Sequence, residues 1–179
     1  PAGNDATAVG TPTYSDKSKY DVGPSGKFIS IDSNNYLKAS GSSFQFGTNA
    51  FSLAFWVNIP KTTPSDTTLR MFQTGLYGAN TPGFAIAVSK NEFDTVNIAT
   101  GVGSTGSDNS WEWSEGVTDF FDSQWHHLAF VFDQPNDTYS IYLDGSLVAR
   151  RTTDKENLSA STTQSTVGLG VFLWYDSLA

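Results

Sequence analysis

Alternation of apolar and polar residues is the feature that most constrains the fold of this 179-residue chain. In residues 51–59, every second residue is apolar: Phe51, Leu53, Phe55, Val57 and Ile59. Successive side chains of a strand point to opposite faces, so this pattern predicts a half-buried strand. Pro60 is expected to end it, because proline cannot donate to a strand ladder. Trp56 falls on the other face, where it either faces the concave surface or is covered by a loop, and we expect the loop.

The same period recurs in residues 126–133, where Leu128, Phe130 and Phe132 share one face. Two further strands, at residues 139–143 and 146–151, flank Asp144 and Gly145. Asp-Gly between two strands predicts a type I′ hairpin, because both residues tolerate positive φ. We expect seven side chains from these strands to be buried between two sheets: Phe51, Leu53, Phe55, Leu128, Phe130, Phe132 and Ile141.

Weaker strand patterns occur along the rest of the chain, at residues 27–31, 36–38, 69–73, 83–89, 95–100 and 165–169. Turn-rich stretches separate several of them, at residues 61–68, 77–82 and 101–110. No stretch shows sustained helical periodicity. Many short strands with frequent turns predict an all-β fold, a two-sheet antiparallel sandwich or jelly roll.

Length and charge limit the partners of the chain. The 179 residues suit one domain spanning 1–179. A net charge of -8 excludes nucleic acid as an expected partner, because that binding depends on clustered Lys and Arg. No apolar run approaches the roughly 20 residues that a membrane span requires, so no membrane insertion is expected. The absence of cysteine removes disulfides and thiolate chemistry.

Several segments in order resemble the concanavalin A-like, laminin G-like jelly rolls of bacterial surface proteins, glycan-active enzymes and phage virion proteins. The segments are GKFISID at 26–32, NYL at 35–37, FG at 46–47, FSLAFWV at 51–57, WHHLA at 125–129 and YSIYLDG at 139–145. The resemblance implies a concanavalin/laminin G-like sandwich. It also implies terminal strands that this sequence does not show, so we expect a domain that lacks them, or a partner that supplies them.

Carboxylate spacing argues against catalysis. Glycan hydrolysis requires two carboxylates at a fixed separation, which neighbouring residues on one strand face would provide. The pairs found here, Glu112 with Glu115 and Asp119 with Asp122, are three residues apart and fall on opposite faces. The Glu-x-Asp-x-x-Glu run of related glycanases is missing. We find no acidic orienting group for His126-His127 nearby in sequence, although distant segments could supply one in the fold. We therefore expect no enzyme activity and a structural role for the histidines.

Trp111 and Trp113 form the strongest candidate for a ligand site. Alternate residues of an extended segment project from one face, and flat rings beside polar groups suit stacking on sugars. Burial of both rings in the core is the alternative, because tryptophan gains much from burial. The residues that we assign to ligand binding are Trp111, Trp113, Asn109, Glu112 and Tyr77.

Residues 32–35 place oxygen ligands in a tight turn. Carboxylate and carbonyl oxygens are what Ca²⁺ binds, and turns at this position in the resembling family often hold a structural ion. Asp32 and Asn35 are therefore candidate ligands, although Asp and Asn also form ordinary turns by hydrogen-bonding their own backbone.

The sequence favours an extracellular carbohydrate-binding or adhesion module without catalytic activity, on a cell or virion surface. Its expected partner is a glycan or cell-surface polysaccharide, with neighbouring protein subunits as further partners. Two alternatives remain: a structural or decoration domain of a phage virion protein, and a glycan-cleaving enzyme whose site carries no recognisable motif.

Overall fold

The computed structural model describes residues 6–16, 27–32, 34–40, 49–74, 83–93, 95–103, 110–114, 120–136, 138–152 and 166–169. These residues form short strands and one 3₁₀ turn at Gln134–Asn136. The strands are β1 (Thr7–Val9), β2 (Thr13–Asp16), β3 (Lys27–Ser30), β4 (Tyr36–Ser40), β5 (Phe51–Asn58), β6 (Thr67–Thr74), β7 (Gly83–Lys90), β8 (Val96–Gly103), β9 (Ser110–Ser114), β10 (Trp125–Asp133), β11 (Thr138–Leu143), β12 (Ser146–Thr152) and β13 (Thr166–Leu169).

Two large antiparallel sheets make up the fold. The seven-stranded sheet has the order β1-β4-β13-β6-β7-β8-β9, and the four-stranded sheet has the order β12-β11-β10-β5. Strands β2 and β3 pair separately. The predicted all-β, two-sheet architecture is confirmed.

Three differences from the predicted strands are the largest. The N-terminal strands β1 and β2 were not predicted. Residues 101–110 were predicted as turns, yet β8 continues to Gly103 and β9 begins at Ser110. Strand β6 begins at Thr67, inside another stretch predicted as a turn. Pairing with neighbouring strands outweighs the weak strand propensity of Gly and Ser in such segments.

The hairpin between β11 and β12 is as predicted. Asp144 and Gly145 have φ of 49° and 81°, the two positive values that a type I′ turn requires. The register runs from Leu143 opposite Ser146 to Thr138 opposite Thr152, with one bulge after Ile141.

One apolar core lies between the two large sheets. From the four-stranded sheet, Leu128, Phe130, Phe132 and Ile141 are fully buried, as predicted. Phe51, Leu53 and Phe55 pack against this core but are only partly buried. The prediction placed these three side chains on the correct face but expected them to be more buried than they are. They are partly exposed because β5 is an outermost strand of its sheet.

The seven-stranded sheet supplies the opposite side of the core, through Phe72, Ile86, Val88 and Ile98. Two adjacent side chains that precede β10, Phe120 and Phe121, complete it. Each large sheet therefore has one face toward the core, and we call the opposite face of each sheet its outer face.

Candidate functional site

Strand β9 carries Trp111 and Trp113 at the edge of the seven-stranded sheet. In the register with β8, Trp111 lies opposite Gly101 and Trp113 opposite Ala99. On β8, the residues that alternate with Ala99 and Gly101 are Ile98 and Thr100, which are both fully buried on the core face. Residues opposite one another in an antiparallel pair share a sheet face, so positions 111 and 113 belong to the outer face.

Glu112 occupies the position between the two tryptophans and pairs with Thr100. Its position therefore falls on the core face, whereas the tryptophan positions fall on the outer face. Asn109 and Tyr77, the other two residues assigned to ligand binding, lie outside the described residues. The five-residue site stays a prediction, with two of its members placed on one face.

The middle of this outer face is not open. Ala85 and Ala87 of β7 are fully buried, and Gln73 of β6 is 2% exposed. Arg70 is buried as well, and its Nη1 donates to Gln73 Oε1 at 2.9 Å. A ligand surface on this face therefore has to lie toward the sheet edge, where β9 is.

The turn at Asp32 is held by a dense set of hydrogen bonds. Asp32 Oδ1 accepts from the backbone N–H of Asn34 at 2.8 Å and of Asn35 at 3.0 Å. Asn35 Nδ2 donates to both carboxylate oxygens at 2.9 Å, and Asn35 Oδ1 accepts from Thr11 N–H at 2.8 Å. These bonds lower the pKa of Asp32 from its ordinary value.

Gly10 fits tightly against the same turn. Its φ of 73° lies in the left-handed region, and a Cβ there would collide with the backbone oxygen of Asn34. Glycine is therefore required for β1 to approach β4 at this turn.

Calcium at this turn would need more ligands than Asp32 and Asn35. A Ca²⁺ ion takes about six to eight oxygens, and the oxygens of both side chains already accept amide hydrogen bonds. The part of the chain that the structure describes contains no group of three or more His, Cys, Asp or Glu able to hold a metal ion. The turn is complete as a hydrogen-bonded structure, and calcium binding stays a prediction.

His126 bridges two aspartates that are distant from each other in sequence. Its Nδ1 lies 2.8 Å from Asp144 Oδ2, and its Nε2 lies 3.1 Å from Asp122 Oδ1. Its ring packs 5.2 Å from the ring of Phe120. Because both ring nitrogens face carboxylate oxygens, the doubly protonated imidazolium satisfies both contacts, whereas neutral histidine can donate only one.

Electrostatics agree with this geometry. Burial acts to lower the pKa of His126, but the hydrogen bonds and charges of Asp144 and Asp122 outweigh burial and raise it. Burial acts to raise the pKa of each aspartate, but hydrogen bonds from His126 and from backbone amides outweigh it and lower both values. Opposite charges are therefore favoured on the ring and on both carboxylates.

The cluster ties three segments together. Asp144 Oδ1 accepts from His127 N–H at 2.8 Å, and Asp122 Oδ1 accepts from Gln124 N–H at 2.7 Å. The hairpin turn and the segment before β10 are thus both fastened to the start of β10. Our prediction from sequence overlooked Asp122, four residues before His126, and left open a partner from a distant segment, which Asp144 of the hairpin turn supplies.

Trp56 is 43% exposed on the outer face of the four-stranded sheet. Its ring contacts that of His127, its register partner, with centroids 5.3 Å apart. Trp56 is therefore more exposed than the predicted loop cover would leave it. Sequence patterning placed Trp56 on the correct face but carried no signal for its exposure.

Two facing antiparallel sheets around one core define a jelly-roll β-sandwich. Residues 32–177 match the family model of the concanavalin A-like lectin/glucanases superfamily, and the chain belongs to that superfamily. The resemblance noted in the sequence is therefore confirmed. No curated protein matches the chain in sequence.

Several solved structures share the fold. Domain 4 of AbnA, a GH43 extracellular arabinanase from Geobacillus stearothermophilus in complex with arabinotriose, is 20% identical with a TM-score of 0.62. The botulinum neurotoxin DC binding domain in complex with SialylT is 14% identical with a TM-score of 0.65. Tailspike protein 2 of the Escherichia coli O157:H7 bacteriophage CAB120 is 14% identical with a TM-score of 0.66.

The likeness extends over most of this chain but over varying parts of the others. For the arabinanase domain, it covers 96% of this chain and 75% of that domain. For the neurotoxin domain, it covers 94% of this chain and 39% of that protein. For the tailspike, it covers 93% of this chain and 24% of that protein. The chain therefore corresponds to less than half of the neurotoxin domain and of the tailspike.

Among the residues that the structure describes, no helix has the length and apolar character needed to cross a bilayer.

Proposed function

We propose that this chain is a non-catalytic, extracellular glycan-binding module whose sugar site lies at the β9 edge of the seven-stranded sheet. Trp111 and Trp113 are the stacking residues, and Asn109 and Tyr77 are candidate polar neighbours. Glu112 is a weaker candidate than the sequence implied, since its strand position falls on the core face.

The observation that carries the proposal is the placement of the tryptophans. They are alternate residues of an edge strand, on the outer face, opposite two of the smallest residue types, Ala99 and Gly101. A sugar ring offers an apolar face and equatorial hydroxyls, which favour flat aromatic groups with a few polar neighbours. An edge position permits access that the buried centre of the same face does not.

Family and neighbours support the same class of ligand. The superfamily contains lectins and glucanases, the arabinanase domain is in complex with arabinotriose, and the neurotoxin domain with SialylT. The net charge of -8 favours neutral glycans over sulfated or phosphorylated ones, because like charges repel at an acidic surface.

Glycan-array binding of the purified chain tests the proposal, followed by calorimetry with the best oligosaccharide. We expect dissociation constants from about 10 µM to about 1 mM, or roughly -4 to -7 kcal/mol. Trp111→Ala and Trp113→Ala should each lower the affinity about tenfold, a loss of about 1.4 kcal/mol, and leave the melting temperature nearly unchanged.

Phe93→Ala is the matched control. Phe93 is 79% exposed in the turn between β7 and β8, so this variant removes an exposed aromatic ring away from β9. It should leave binding unchanged. If the Trp111→Ala/Trp113→Ala double variant unfolds, the rings belong to the core and the proposed site is wrong.

A phage virion role is the second candidate, and the tailspike likeness is the observation behind it. In that case the sandwich would contact neighbouring subunits of a larger protein. Virion-assembly sequence in the full-length gene product would favour this candidate, and flanking catalytic domains would favour the glycan-binding module.

A further inference from the structure

The outer face of the four-stranded sheet carries a patch of mostly apolar and aromatic side chains. Ala54, Ala129, Tyr142 and Leu147 lie in one cross-strand row, and Trp56 and His127 lie in the next. Leu147 is 50% exposed, and Ala54 is also exposed. We call this surface the outer strip, defined by Trp56, His127, Ala54, Ala129, Tyr142 and Leu147.

Trp56 is presented on a rigid support. Its strand pairs along its full length with β10, and the His127 ring tilts against its ring at 57°. At the end of the same strand, Asn58 Nδ2 donates to Ser123 O at 2.9 Å, which anchors the strand end. A ligand that stacks on Trp56 therefore loses little affinity to ordering of the protein.

Charge identifies the kind of ligand. Across the four paired strands, the charged residues at outer-face positions are Asp133 and Arg150, both outside the outer strip. The whole chain carries 18 acidic and 10 basic residues, so the strip is unusually neutral for this protein. Asp144 beside His127 and Arg150 beyond Leu147 border the strip, so a ligand of either charge would meet a like charge at one border and lose hydration on binding.

The area of this sheet face further narrows the kind of ligand. The four strands are 6 to 9 residues long, so at about 3.3 Å per residue and about 4.8 Å between strands the face measures roughly 400 Å². A stable protein interface buries about 800 Å² on each partner, so this face alone is too small for a second copy or another protein. A short oligosaccharide matches the area and uses the exposed ring.

From these observations we infer that Trp56 forms a second binding site for a neutral oligosaccharide, with a sugar ring stacked on the indole. The inference rests on the proposed function and extends it to a bivalent module. The two sites lie on the outer faces of different sheets, whose planes are about 10 Å apart, with the core between them. One short oligosaccharide cannot reach both, so the module would hold two glycan chains together.

Calorimetry at high ligand concentration tests this site, with the neutral oligosaccharide that binds best on the array. The background is the Trp111→Ala/Trp113→Ala double variant, which removes the first site. Residual binding should persist there, and adding Trp56→Ala should weaken it about tenfold. Trp56→Tyr should retain most of it, and Phe93→Ala should have no effect.

The outcomes separate the two proposals. If the wild-type chain binds no glycan, both fail. If the double variant binds nothing while Trp56→Ala alone binds like the wild type, the second site fails and the first stands. If Trp56→Ala alone removes all binding, the first site fails and the second stands. A monomer–dimer equilibrium in sedimentation that Trp56→Ala abolishes, with unchanged glycan binding, would assign the strip to a second copy and overturn the inference.

Discussion

Asp32 organises its turn through hydrogen bonds from its own side chain. Its two oxygens accept from three nitrogens of Asn34 and Asn35, and Asn35 in turn holds Thr11 of the N-terminal segment. Because these bonds use the same oxygens that a calcium ion would need, metal binding and the observed hydrogen bonds compete for Asp32.

Chelation tests calcium at this turn. If Ca²⁺ binds the native state, it stabilises folding by an amount that grows with free ion concentration. EDTA should then lower the melting temperature of the wild-type chain, and Asp32→Ala should remove the difference between calcium and EDTA. The same melting temperature in both buffers for the wild-type chain would leave Asp32 as a turn former alone.

At the scale of elements, β10 depends on the contacts at its first residues. The segment before β10 and the β11–β12 turn both reach it through His126. The segment is also bound to the end of β5, because Ser123 N–H donates to Ile59 O at 3.0 Å and Ser123 Oγ accepts from Lys61 N–H at 2.9 Å. One histidine therefore connects a loop, a hairpin and a strand.

Stability should depend on pH through this cluster. The pKa of His126 is raised above 6.5, so its contribution is complete below pH 6.5 and is lost as the pH rises through the raised value. The pKa values of Asp122 and Asp144 are lowered below 3.8, so their contribution is complete above pH 3.8 and is lost at lower pH. The cluster should stabilise the fold most between pH 3.8 and 6.5.

Urea denaturation across pH measures this dependence. His126→Gln should destabilise the chain most between pH 3.8 and 6.5 and progressively less at higher pH. Phe93→Ala is the control, because Phe93 is 79% exposed in a turn outside this cluster, and it should keep the wild-type pH profile. A destabilisation by His126→Gln that is constant from pH 4 to 9 would contradict an ionic role.

At the scale of the whole molecule, the fold is held by a core that is complete in the middle and thinner at β5. Phe130 and Phe55 are diagonal neighbours on adjacent strands, with ring centroids 6.2 Å apart, yet Phe130 is fully buried and Phe55 only partly. Both rings lie on the same sheet face, so the difference in burial comes from position within the sheet.

Truncation of the two rings should show this difference. Phe130→Ala should cost about 3–5 kcal/mol in free energy of unfolding, from lost burial and the cavity left behind. Phe55→Ala should cost clearly less, because part of its ring is already in water and its site opens to the edge. Equal costs in chemical denaturation would mean that β5 is as deeply packed as β10.

Patterns local in the sequence were sufficient to predict the strands that form the four-stranded sheet. The period of two in residues 51–59 and 126–133, and the Asp144-Gly145 turn, depend on neighbours in sequence, because backbone geometry alone sends alternate side chains to opposite faces. The same alternation placed Trp56 on the outer face and Trp111 with Trp113 on a common face. The fold class and these assignments therefore followed from sequence alone.

Tertiary structure decided which residues meet across the strands and which faces stay open. Asp122 and Asp144 both reach His126, although 22 residues separate them, because β10 and β11 pair and the hairpin turn returns to the start of β10. Trp56 is exposed and Ala87 buried, although each lies on an outer face. Periodicity assigns a residue to a face, but only the packing of the whole chain determines whether that face is covered.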